Sequence, residues 1–163
     1  MMNFVVRFAG RKMSYKFGSL ESGGGVQYKY GNLFRHDVRS DWSRVTFAPD
    51  DRQIPLMLEI VRRWGGPYGI LYVLKVSRLG HADARYQSPE PCSFDELELF
   101  ARTFREYFEG DGRHQLWFID VPTGAQLVYD SHDLIYSYGN DAEVISLLKS
   151  KGFREGDPRI PYV

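Results

Sequence analysis

The stretch QLWFIDVPTGAQLVYDSHDLIYSY, residues 115–138, decides the fold. Apolar residues alternate with polar or smaller ones through Gln115 to Val121, Ala125 to Asp130 and Leu134 to Tyr138. The turn formers Pro122-Thr123-Gly124 and Ser131-His132-Asp133 separate these runs. Period-two runs joined by tight turns predict a three-strand antiparallel meander. After it, Gly139-Asn140 breaks the strand and Asn140 with Glu143 has the spacing of a capping box. Val144, Ile145, Leu147 and Leu148 then give a last helix ending at Gly152, followed by an extended tail after Phe153.

Ahead of the meander, Ser93 and Glu96 form a clearer capping box. They precede a single apolar stripe of Leu97, Phe100, Ala101, Phe104, Tyr107 and Phe108 that runs to Gly110. Glu98–Arg102 and Arg105–Glu109 fall at i, i+4 on its wet side. Further upstream, Ile54, Met57, Leu58 and Val61 predict a first helix behind the caps Asp50 and Asp51, stopped by Gly65-Gly66-Pro67. The nearly continuous apolar run Tyr68 to Ser77 reads as a central strand buried on both faces, and Ala84 to Gln87 as a short edge strand.

Near the start, Met13-Tyr15-Phe17 and Val26-Tyr28-Tyr30 alternate around Gly23-Gly24-Gly25, which predicts a hairpin with a long loop. Arg35 to Ser43 reads as loop and Arg44 to Ala48 as a strand. These elements predict an α+β fold: a mainly antiparallel, Tyr-rich sheet of about six to eight strands with three helices packed on it. Residues 1–12 read as an N-terminal extension or edge strand, and 13–163 as one domain.

Composition bounds the function. The chain has 163 residues, 43% hydrophobic, with 21 basic side chains against 21 acidic ones, so it has material for a full core and no bulk attraction to phosphate or anionic lipid. No apolar run reaches membrane-spanning length, and Met1 to Lys12 lacks the order of a secretion signal. The one cysteine, Cys92, fits a reducing compartment, and the expected location is the cytoplasm. Neutrality hides an asymmetry: residues 1–80 carry 13 Lys and Arg against 6 Asp and Glu, and residues 81–163 carry 8 against 15.

Catalytic motifs are sparse. There is no Gly-x-Ser-x-Gly elbow, and the glycine triplet leads into a strand pattern rather than a helix, so it is a hairpin loop and not a phosphate cradle. Cys92 precedes a helix start, where a dipole lowers thiol pKa, but no histidine neighbours it in sequence and it reads as structural. Asp120, in an otherwise apolar strand, reads either as a half-buried carboxylate or as a turn former beside Pro122.

Each histidine has a nearby acid, and imidazole with carboxylate is the usual donor set for metal binding or proton transfer near neutral pH. The catalytic candidates are Asp130, His132, Asp133 and His36; the metal candidates are His36, Asp37, Asp130 and His132. The expected cofactor is none, with a divalent metal as the alternative. The same residues serve equally as turn formers.

The leading expectation is a small protein-binding module, of the inhibitor or immunity type, acting through a charge-segregated, Tyr-rich surface. Its binding candidates are Arg35, Arg39, Arg44, Tyr28, Tyr30 and Trp64, since Arg and aromatic side chains dominate contact energetics. The partner is another protein, with self-association a further option and no membrane role. The alternative is a metal-dependent phosphoester hydrolase in which Arg35 or Arg39 holds the phosphate, and a weaker one is RNA binding by the basic half.

Overall fold

The computed structural model describes residues 16–19, 26–77 and 79–161. The hairpin strands are β1 (Gly18–Ser19) and β2 (Val26–Gln27), which pair antiparallel as a separate two-stranded sheet. The main sheet is built from β3 (Leu33–Val38), β4 (Ser43–Ala48), β5 (Tyr68–Leu74), β6 (Ala84–Gln87), β7 (His114–Asp120), β8 (Gln126–Tyr129), β9 (Ile135–Tyr138) and β10 (Arg154–Glu155). Its spatial order is β10-β3-β4-β9-β8-β7-β5-β6. The helices are α1 (Gln53–Val61), α2 (Phe94–Thr103), α3 (Arg105–Gly110) and α4 (Asp141–Ser150).

The predicted meander is the centre of this sheet, β7-β8-β9, with Phe118 opposite Leu127 and Tyr129 opposite Ile135. Alternation decides what each strand buries. Leu116, Phe118, Leu127, Tyr129 and Ile135 share one face with Val45 and Phe47 of β4, and against it lie Ile54, Met57 and Val61 of α1, Leu97 and Ala101 of α2, and Leu148 of α4. The helices therefore cover one face of the sheet. On the other face, Tyr30, Ala48 and Leu134 form a small second cluster beside Phe17, Tyr28 and Tyr136.

Several expectations need correction. The sheet is mixed, because β10 runs parallel to β3, with Arg154 opposite Leu33. Arg154–Glu155, within the tail expected to be extended, supplies that parallel strand. Among the described residues there are four helices, because the long stripe breaks at Phe104 (φ −104°, ψ 14°) into α2 and α3. The hydroxyl of Thr103 donates to the Leu99 carbonyl at 2.6 Å, a side-chain bond of the kind that bends helices.

Leu33–Val38 is a strand rather than a loop, its polar residues held by cross-strand pairing of Asp37 with Arg44. β5 is one strand from the edge and only partly buried beyond Tyr68, not central. The expected caps of α1 act elsewhere or not at all: Arg52 occupies the N-cap in the left-handed region, and Asp50 accepts the Gly31 N–H at 2.8 Å. Asn140 is likewise left-handed (φ 56°) and makes no side-chain cap bond, whereas the Ser93–Glu96 box is fully formed. Residues 1–12, and the hairpin start at Met13, lie outside the described residues.

Candidate functional site: an aromatic groove at the sheet edge

Where β5 and β6 leave the shelter of the core, the helix face of the sheet is not fully covered. Tyr72 pairs with Tyr86, so both rings rise toward the helices, together with Ile70 two positions along. Opposite them stand Phe100, Phe104 and Phe108, at i, i+4, i+8 across the α2–α3 break. Between floor and wall is an open groove of about 450 Å³. That lies within the range typical of ligand pockets, and the lining is almost wholly apolar.

The rings form a connected array. Phe100 lies 5.4 Å from Phe104 and 5.5 Å from Phe108, Phe104 lies 6.2 Å from Phe108, and Tyr72 lies 6.4 Å from Phe108. The hydroxyls of Tyr72 and Tyr107 bond to each other at 2.7 Å, which satisfies both within the wall. Burial and that bond push the Tyr72 hydroxyl pKa far upward, so it stays a neutral O–H. Ser88 is also occupied, its Oγ accepting the Ile70 N–H at 3.2 Å.

Exposure marks the groove as unfinished surface. Tyr86 is 59% exposed and Phe104 44%, with Leu99 exposed on α2. On the helices Glu98 pairs with Arg102 and Arg105 with Glu109. The helical stripe predicts Phe100, Phe104 and Phe108 as core; Phe108 is core at 2% exposed, whereas Phe100 is only partly buried and Phe104, at the α2–α3 break, is 44% exposed.

The predicted site residues scatter. His36 and Asp37 are adjacent on a strand and therefore face opposite ways. His36 bonds Asp141 of α4 at 2.9 Å on the helix face, while Asp37 accepts from Arg35 and Arg44 on the other face. Those two arginines hold the Asp37 carboxyl below the usual carboxylate range against the opposing effect of burial. Arg35 also bonds Asp157, and Arg44 lies 5.2 Å from the Tyr136 ring. Arg39 is exposed.

Asp130, His132 and Asp133 form the β8–β9 turn. Asp130 Oδ1 accepts the N–H groups of His132 (2.8 Å) and Leu134 (3.0 Å), and its Oδ2 accepts the Tyr136 hydroxyl at 3.1 Å. That carboxylate builds the turn. Its bond to His132 raises the imidazole pKa, against an opposing effect of burial. Asp133 sits in the left-handed region (φ 63°) and accepts the Tyr129 hydroxyl at 2.7 Å. Beneath it, Lys16 lies 3.5 Å from the Tyr129 ring centre, and burial depresses its pKa to about 7.

His36 and His132 belong to opposite ends of β9: His36 is in the row of Val45 and Ser137, while His132 precedes Ile135. Among the described residues no three His, Cys, Asp or Glu side chains are grouped to hold a metal ion. Of the binding candidates, Trp64 (6% exposed) and Tyr30 (7%) are core residues, and the Tyr30 hydroxyl donates to the His132 carbonyl. Tyr28 is half-buried, with its ring 4.9 Å from that of Tyr30.

Cys92 exchanges backbone bonds with Tyr68, and burial pushes its thiol pKa up rather than down. Asp120 is buried: Oδ1 accepts the Gly66 N–H at 2.7 Å and Oδ2 the Thr123 hydroxyl. No helix among the described residues is long and apolar enough to cross a membrane. The chain matches no protein-family model, no curated protein and no solved structure.

Proposed function

We propose that the protein works by binding another protein, as a module of the inhibitor or immunity type, and that the groove between α2–α3 and β5–β6 takes an apolar or aromatic anchor from the partner. The observation that carries this reading is the open, almost wholly apolar lining with Phe104 and Tyr86 at its mouth. Buried aromatic anchors supply most of the affinity in protein interfaces, and exposed apolar clusters of this kind mark contact sites. A volume of about 450 Å³ admits two or three side chains.

The charge-segregated surface contributes less than the sequence implies. Arg35 with Asp157, Arg62 with Glu98, His36 with Asp141, and Lys151 with Glu59 each join the basic half to the acidic half. Those pairings mix charge signs on the surface and leave the apolar groove as the main source of affinity.

The test is selection of short peptides from a random displayed library, followed by shift mapping of the winners by NMR. Enriched peptides should carry an aromatic or large aliphatic anchor and perturb Tyr72, Tyr86 and the α2–α3 backbone. Phe104→Asp should reduce their affinity at least tenfold while leaving the fold intact, since the ring is already partly exposed. Winners that lack such anchors, or that bind Phe104→Asp as well as wild type, would overturn the reading.

A further inference from the structure

β6 ends the strand order, and among the described residues nothing pairs with its outer side. The Ser88 N–H donates to the Ile70 carbonyl at 2.9 Å, which fixes the phase of the β5–β6 ladder. In an antiparallel pair hydrogen-bonded positions alternate, so Tyr72–Tyr86 and Leu74–Ala84 are the bonded pairs. The residues between, Arg85 and Gln87, turn their N–H and C=O groups outward. An edge with these groups free is a template for another strand.

We propose that a second copy of the chain pairs with this edge, β6 against β6, antiparallel about a two-fold axis at Tyr86. Register, strand length and charge argue for this axis, since an axis at Ala84 would pair Arg85 with Asp83, which lies outside β6, and leave Gln87 without a strand residue opposite. An axis at Arg85 sets that guanidinium against its own copy, and like charges directly opposite are destabilising. An axis at Gln87 sets Arg85 against Pro89, which has no N–H to donate. An axis at Tyr86 sets each Arg85 opposite a neutral Gln87, and each of these residues both donates its N–H and accepts at its C=O. The strand is self-complementary in that register, as a two-fold interface requires.

The pairing has a consequence for the groove. An antiparallel two-fold axis stands normal to the sheet, so the helix faces of both copies lie on one side. The two Tyr86 rings meet there as a non-hydrogen-bonded pair, whose Cβ atoms approach to about 4.5–5.5 Å. The two grooves then join into one cleft, to whose floor the second copy contributes its Tyr86. The dimer stands on the backbone of β6 and the binding reading on the groove lining, so each can fail without the other.

The experiment uses sedimentation of the full chain and a cysteine pair. Wild type should sediment as a concentration-dependent dimer. In a Cys92→Ser background, Tyr86→Cys should form a disulfide-linked dimer on mild oxidation, and Arg85→Cys should remain largely unlinked. Arg85→Pro deletes two of the four inter-copy bonds, uses no N–H of the β5 ladder, and should raise the dimer Kd at least tenfold. Phe104→Asp should dimerise as wild type does. A monomer throughout the accessible concentration range overturns the proposal, as does a dimer that crosslinks no better through position 86 than through 85.

Discussion

At the start of β7 the His114 imidazole stacks between Tyr107 (4.9 Å between ring centres) and Tyr72 (5.3 Å). Neither ring nitrogen has a hydrogen-bond partner among the described residues. Burial, aided by the Lys16 charge, lowers its pKa from 6.5 to about 3. Below pH 6.5 the unfolded chain takes up a proton that the folded chain refuses, so this group's contribution to stability falls as pH falls toward 3. The slope is about 1.4 kcal/mol per pH unit for one proton. Asp133 works the other way in the upper part of that window: burial raises its pKa from 3.8 to about 6, so its contribution falls as pH rises between those values. Urea melts of wild type and His114→Phe across this range should show a shallower acid loss in the variant; parallel curves would contradict the assignment. Asp120 is the second residue whose role emerges only in three dimensions. Asp120→Ala strands the Gly66 N–H and should cost about 1–3 kcal/mol in a denaturation midpoint.

Elements were legible where local chemistry alone defines them. The Ser93–Glu96 box, the β7–β9 meander and the short edge strand β6 all follow from neighbouring residues in the sequence. Those defined by distant partners were not legible. β3 looks like a loop because Arg35, His36 and Asp37 are polar, yet each is held by a partner on β4, α4 or the C-terminal segment. The start of α1 is the clearest case. No side chain caps it locally; instead Glu109 of α3 accepts the Ile54 N–H at 2.9 Å while its other oxygen accepts from Arg105 at 2.9 Å. Glu109→Ala should lose about 1–2 kcal/mol, the scale of a lost cap, and Glu109→Gln should retain most of it because an acceptor oxygen remains. Equal losses in the two variants would assign the effect to charge rather than to capping.

At the scale of the molecule, one face of a mixed eight-stranded sheet is packed by four helices, and the covering runs out at β6. The groove exists because of that shortfall. A helical stripe read from sequence shows which residues are apolar, but not that Phe104 stays 44% exposed at the groove mouth while Phe108 beside it is buried. The sequence likewise reveals the charge asymmetry between the two halves without revealing that the fold interleaves them. The histidine and aspartate candidates illustrate the same limit: sequence proximity leaves convergence open, and strand alternation sends His36 and Asp37 to opposite faces.

The most direct measurement is calorimetric titration of a groove-selected peptide into wild type and Phe104→Asp at several temperatures. Filling the groove buries apolar surface, so wild type should bind with a negative heat-capacity change, and Phe104→Asp should lose at least tenfold in affinity and much of that change. Binding by both proteins with the same affinity and the same heat-capacity change would contradict the groove as the site of partner recognition.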